Sequence, residues 1–115
     1  MIRALFITTN AEGSGEMWHE DVEPDALYER IKTHIDGWLE AVRLDGGTMY
    51  LNEEGKLKRL SINEIATTVF RTHLGGEDHV VGNVVVVGPP DSECNDTSID
   101  ETMLDEFYKV IGVER

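Results

Sequence analysis

Apolar and polar residues alternate between distinct rhythms along this chain, and each rhythm predicts an element. Ile2 to Thr8 is a continuous apolar, β-prone run and predicts a buried first strand. Asn10 to Glu16 has neither helical nor strand period and reads as a loop. Pro24 suits the first turn of a helix, and Leu27, Tyr28, Ile31 and Ile35 then share one helical face. Gly37 should end that helix. Trp38 to Leu44 and Thr48 to Asn52 flank Asp45-Gly46-Gly47, and an Asp-Gly pair between two half-apolar runs predicts a hairpin. Glu54-Gly55 reads as a turn and Lys56 to Leu60 as a short extended piece.

Ser61-Ile62-Asn63-Glu64 has the spacing of a capping box, with Ser61 as the cap and Glu64 reaching back to it. Ile62, Ile65, Ala66, Val69 and Phe70, extended by His73 and Leu74, mark the buried face of the helix that follows, and Gly75 closes it. Val80-Val81 and then Val84 to Val87, four valines between glycines, predict a central strand buried on both faces, stopped by Pro89-Pro90. A second capping box, Ser98-Ile99-Asp100-Glu101, opens a last helix with Met103, Leu104, Phe107, Tyr108 and Ile111 inward and Gly112 at its end. The order is β-α-β-β-α-β-α, without internal repeats. The fold class is α+β, one small domain over residues 1–115, with a body of about 1–90, an acidic loop at 91–97 and a C-terminal helix at 98–112. The first six elements follow the ferredoxin-like order, which implies one sheet with the helices on one face.

Length and charge narrow the function. The 115 residues suffice for one modest core. The formal charge is −13, from 10 bases and 23 acids. Residues 1–29 carry net −6, residues 30–90 net −1 and residues 91–115 net −6. A balanced body is therefore flanked by two acidic regions, Glu12 to Glu29 and Asp91 to Glu106. Such a chain is not expected to bind nucleic acid directly or to dock on anionic membranes, because both need clustered Lys and Arg. It favours solubility and a basic partner surface. The single cysteine, Cys94, excludes an internal disulfide or a cysteine-based zinc cage. No apolar run approaches a membrane span, and Met1 to Ile7 lacks a secretory leader's length and cleavage signal, so the expected location is the cytoplasm.

Several segments of the balanced body carry a resemblance. They are Gly37 to Leu44 (GWLEAVRL), Asn52 to Lys58 (NEEGKLK), and Asn63 to Thr67 (NEIAT) with Val81 to Gly88 (VGNVVVVG). Together they resemble a small uncharacterised domain family, a domain of unknown function of bacteriophages and actinobacterial mobile elements. The family brings no established activity. It implies a small accessory protein of phage or prophage type, acting in a bacterial host cell.

Chemical motifs are sparse. Gly82 to Gly88 lacks the lysine and spacing of a phosphate loop, and Gly13-Ser14-Gly15 is not a nucleophile elbow. His73, Glu77, Asp78 and His79 lie close in sequence, but Gly75-Gly76 separates them and nothing completes a ligand set, so no metal is expected. Asp91 to Asp96 begins like a calcium loop, then places Asp96 where glycine is needed and Thr102 where the last carboxylate belongs. Cys94 in that acidic loop is a poor nucleophile. No catalytic set is evident, and a non-enzymatic protein without a cofactor is expected.

Binding readings remain. Glu16, Trp18, Glu20, Asp21 and Glu23 place a tryptophan inside an acidic loop, and Asp91, Glu93 and Asp96 form the second acidic group. Together they are candidates for docking a host protein with a basic surface, with Trp18 either an exposed anchor or folded back onto the core. In its sharpest form this is nucleic-acid mimicry, which requires the two acidic flanks to converge on one face. The alternative is capture of a small anion or nucleotide by Lys56, Lys58 and Arg59 ahead of a helix N-terminus. On an extended strand, Lys56 and Lys58 would share a face, with Glu53 and Glu54 the nearest neutralising acids. An exposed edge strand in so small a sheet could also pair two copies.

Overall fold

Two runs of residues with no polar side in their sequence, Ala4 to Ile7 and Val84 to Val87, dictate the architecture. A strand alternates its side chains between the two faces of a sheet, so an all-apolar strand must be covered on both. The computed structural model describes residues 1–12 and 15–115. It contains β1 (Ile2–Ile7), β2 (Met17–Val22), α1 (Pro24–Ile35), β3 (Leu39–Leu44), β4 (Gly47–Asn52), α2 (Glu64–Leu74), β5 (Val84–Val87) and α3 (Glu101–Val110). The α+β class and all seven anticipated elements are present in order. An eighth, β2, lies in the stretch expected to be an acidic loop. Gly13 and Ser14, from the anticipated glycine-serine loop, lie outside the described residues.

The five strands form one antiparallel sheet in the order β2-β1-β5-β4-β3. Leu5, Ile7, Met49, Val84 and Val86 face α2 and α3, where they meet Ala66, Val69, Met103, Leu104 and Phe107. Ala4, Phe6, Val85 and Val87 face α1, where they meet Leu27, Ile31 and Ile35. The helices thus cover both faces, not one as the ferredoxin-like reading implied. The strand order differs from that reading as well. In a ferredoxin-like sheet the last strand is an edge, whereas here β5 lies between β1 and β4, as its four fully buried valines demand.

The hairpin at Asp45-Gly46 forms as its sequence predicts, with Gly46 at φ 88°. Three other local predictions are corrected. The cap of α2 is Asn63, whose side chain accepts from the Ala66 N–H at 3.0 Å, so the helix begins two residues after the expected Ser61 cap. Asn63 is almost fully buried and also donates to the Gly82 carbonyl at 2.9 Å. Ile62, assigned to the helix's buried face, is exposed and forms an isolated bridge to Val81 instead. At α3 the cap is Asp100, accepting from the Met103 N–H at 2.8 Å, while Ser98 Oγ accepts from the Arg3 N–H.

The stretch from Lys56 to Leu60 is not extended. It is wound into consecutive turns, with the Lys58 N–H donating to the Glu54 carbonyl and the Leu60 N–H to the Gly55 carbonyl. The following Gly82 backs onto this turn at φ 79°, where an added Cβ would come within 2.8 Å of Leu60 Cδ1.

Candidate functional site

β2 explains most of what happens to the first acidic group. Its even-numbered side chains face α1 and its odd-numbered ones face α2 and α3. Trp18 is half-buried, not held out in a loop. Its ring stacks on Phe6 with centroids 5.8 Å apart and meets the His34 ring edge-on at 5.7 Å. Its Nε1–H donates to Glu20 at 3.2 Å, and Arg30 donates to the same carboxylate at 2.6 Å. Burial pushes the Glu20 carboxyl up, but the hydrogen bonds from Trp18 and Arg30 outweigh it and hold the carboxyl below its ordinary value. Behind them, burial pushes the His34 imidazole down, partly offset by its bond to the Ile7 carbonyl. Trp18 and Glu20 are therefore committed to packing α1 on the sheet.

The remaining acids of this group separate. Glu16 is exposed just before the end of β2 that pairs with Ile7, about 20 Å along the chain from Val22 by strand rise. Asp21 and Glu23 lie at the opposite end, beside Ile2. There Arg3 joins the two halves of the chain: its guanidinium lies 3.8 Å from Asp21 and 3.0 Å from Glu101 at the start of α3. Hydrogen bonds and charge from Arg115 and Arg3 hold the Glu101 carboxyl below its ordinary value.

The second acidic group arrives at the same end. Asp91 folds its loop by accepting from the Glu93 and Asn95 N–H groups at 2.8 and 2.9 Å, which holds its carboxyl low. Glu93 is left exposed. The loop returns through Thr97, which donates to the Pro89 carbonyl, and this carries Asp96 over the sheet to Tyr50. The Tyr50 hydroxyl lies 2.8 and 2.9 Å from the two Asp96 oxygens.

Between this loop, the start of α1 and the sheet lies an open cleft of about 750 Å³. Ile2, Leu27, Ile31 and Leu39 make its apolar floor, and Asp25 and Asp96 stand on its polar sides. Pro24 sets the first turn of α1 so that Asp25 and Tyr28, three residues apart, lie on neighbouring positions of one face. Tyr28 is 56% exposed at the cleft and Trp38, next to Leu39, is 63% exposed. The Lys32 ammonium stands 5.9 Å from the Tyr28 ring and 5.2 Å from the Trp38 ring.

These two aromatic residues were missed in the sequence. Tyr28 counts toward the apolar face of α1, and Trp38 toward β3. In fact Tyr28 lies a full residue's rotation from Leu27, out of the core, and Trp38 precedes the strand. The legible signal was the i, i+4 pair Tyr28 and Lys32, with a tryptophan directly after Gly37; the helix itself ends at Ile35 with Asp36, not Gly37, as its left-handed cap.

The basic island is dispersed by its turns. Lys56 pairs with Asp78, not with Glu53 or Glu54. Lys58 lines a separate hollow of about 310 Å³ with Thr9, Ser61 and Asn83. Arg59 has a left-handed backbone, φ 55°, and does not line that hollow. The start of α2 is sealed by the buried Asn63 rather than open beside the lysines. The histidine-acid cluster is likewise divided. His73 Nδ1 accepts from the Asp45 N–H at 3.0 Å, so its Nε2 carries the hydrogen that reaches Glu106 at 2.8 Å. Asp78 serves Lys56 and the His79 N–H. Among the described residues no group of three His, Cys, Asp or Glu side chains is placed to hold a metal. No helix there is long and apolar enough to cross a membrane.

Fold and site together define a small α+β domain, a helix-covered antiparallel sheet with Asp21 and Glu101 meeting at Arg3 and Asp25 and Asp96 lining one cleft. The chain belongs to the family described as a domain of unknown function (DUF3846), whose model matches residues 2–112. No curated protein and no solved structure matches it significantly.

Proposed function

We propose that this domain is a non-enzymatic binding protein that docks a host macromolecule through its acidic end, in the cytoplasm of a bacterial host cell. The observation that carries this reading is the meeting of the two acidic flanks. Arg3 touches Asp21 from the first and Glu101 from the second, and the Asp91–Asp96 loop lies against the start of α1. A concentrated negative surface of this kind speeds encounter with a basic surface and rejects acidic ones. Carboxylates gathered from two segments could also stand in for the phosphates of a nucleic acid, and a DNA-binding host protein is the partner class that such mimicry selects. The phage or mobile-element setting implied by the sequence resemblance accords with a small accessory protein of this type. The anion-capture alternative draws less support, because Lys56, Lys58 and Arg59 diverge.

The test is native mass spectrometry of the protein purified gently from bacterial lysate at low salt, followed by affinity measurements with the captured partner. A nucleic-acid-binding partner, affinity falling steeply with salt, and loss of binding in an Asp21→Lys, Glu23→Lys, Glu93→Lys variant are expected. A partner held equally well at high salt, or by the charge-reversed variant, overturns the reading.

A further inference from the structure

The acidic end contains more than charge. A diffuse carboxylate surface needs no cavity, yet here the cleft of about 750 Å³ opens in it, within the range of sites that enclose a ligand. Its composition is specific. The floor is aliphatic, from Ile2, Leu27, Ile31 and Leu39, and the sides carry Asp25 and Asp96. Tyr28 stands at the cleft, with Trp38 close by, both largely exposed. Exposed aromatic rings next to a groove are the residue types that dominate binding energy at interfaces.

We propose that this cleft receives an arginine side chain from a basic segment of the partner protein, a site that rests on the binding reading above. The chemistry of each wall matches one part of that side chain. Its methylene stem would lie on the aliphatic floor, as long basic side chains do on apolar surface. The guanidinium is planar, stacks on aromatic faces and donates to carboxylates, so Tyr28, Asp25 and Asp96 suit it better than they suit an ammonium. Asp96 already accepts from the Tyr50 hydroxyl, which fixes its orientation, and a carboxylate has lone pairs left for further donors. Lys32 shows from within the chain that these rings attract a cation: its ammonium stands near the Tyr28 and Trp38 rings, and the incoming guanidinium would have to displace it from Tyr28. The cleft exceeds one side chain, which leaves room for the residues on either side of the arginine.

The probe is a fluorescent octapeptide of alternating arginine and glycine, with matched peptides containing lysine or citrulline in place of arginine. Citrulline keeps the shape and removes the charge. Binding is measured for the wild type and for Asp25→Asn, Asp96→Asn, Tyr28→Ala and Glu16→Gln. The arginine peptide is expected to bind more tightly than the lysine peptide and to lose binding as citrulline. Asp25→Asn and Tyr28→Ala should each weaken it about tenfold, the scale of one charge-assisted contact. Glu16→Gln, an equal charge change at the far end of β2, should change it less than about twofold. Asp25 and Tyr28 are exposed, so their variants keep the fold even if Asp96→Asn does not. Equal weakening by Glu16→Gln and Asp25→Asn, or equal affinity for arginine and lysine peptides, overturns the cleft while leaving acidic-surface binding intact. Absence of binding by every basic peptide at low salt overturns both. Tighter binding of free arginine amide than of the peptide would assign the cleft to a small cation and overturn the proposed occupant.

Discussion

The Tyr50 hydroxyl hydrogen-bonds Asp96 across 46 residues of sequence, with both carboxylate oxygens within 2.9 Å. This contact ties the acidic loop to the sheet. Burial, then the bond and charge of Asp96, push the Tyr50 phenol up from 10.0 to about 12. The folded pKa lies above the unfolded one, so the stability linked to this group is fully present below pH 10. It is lost as pH rises from 10 toward 12. A difference absorbance titration of the wild type against Tyr50→Phe should isolate a phenol ionising near 12. Asp96→Asn should move that step downward. A Tyr50 step unmoved by Asp96→Asn would show that the two groups are apart in solution.

On the acid side the expected sign is opposite. Hydrogen bonds from Arg115 and Arg3 hold Glu101 below 4.5, so its contribution is present above that value and is lost as pH falls. Because the pairs are exposed, Arg3→Ala should change overall stability little. It should raise the pH at which Glu101 protonates, followed by carboxylate NMR.

The two tryptophans should behave as opposites. Trp18 is packed between Phe6 and His34, while Trp38 is 63% exposed. Trp18→Ala is expected to cost roughly 2–4 kcal/mol in urea unfolding, from lost burial and ring contacts. Trp38→Ala should change stability by less than about 0.5 kcal/mol. Acrylamide should quench Trp38 emission, read in a Trp18→Phe variant, more readily than Trp18 emission read in Trp38→Phe.

The corrected cap is also measurable. Asn63→Ala removes the bond to the Ala66 N–H and leaves the Gly82 carbonyl without its Asn63 donor, and the expected loss is about 2–3 kcal/mol. Ser61→Ala should fall within about 0.5 kcal/mol. Reversed values in a urea titration would restore Ser61 as the cap.

Where the sequence was legible, one local force dominated. The valines of β5 and the Asp-Gly hairpin each admit few alternatives and form as read; of the inward positions read for α3, Met103, Leu104 and Phe107 are buried, while Ile111 lies past the end of the helix and is exposed. β2 was illegible because Met17 to Val22 carries His19, Glu20 and Asp21 in succession, which hides alternation. Only pairing with β1 and a covered face for Trp18 make that run a strand. The caps failed through competition: Ser61 and Asn63 both fit, and the interior contact to Gly82 chose Asn63. Trp18 enters the candidate site for its type and neighbours, while Tyr28 counts toward the apolar face of α1 and Trp38 toward a strand. Local sequence cannot say which side of an aromatic residue the core will lie on. The cleft itself joins residues from Ile2 to Asp96, and no local pattern contains it.

The position of β5 has a consequence for how the chain is made. β1 with β2, and β3 with β4, are hairpins that each form from neighbouring sequence. They do not touch one another in the sheet. Val85 lies opposite both Phe6 and Tyr50, and Val86 opposite both Leu5 and Met49. During synthesis the ribosome therefore releases two half-sheets, each with an apolar edge unpaired, and must translate some thirty residues beyond β4 before the strand that joins them exists. Until then each edge is open to any other strand, including the same edge on a neighbouring nascent chain. The four valines that make the finished molecule a single cooperative unit also set the length of the interval in which it is most exposed to misassembly.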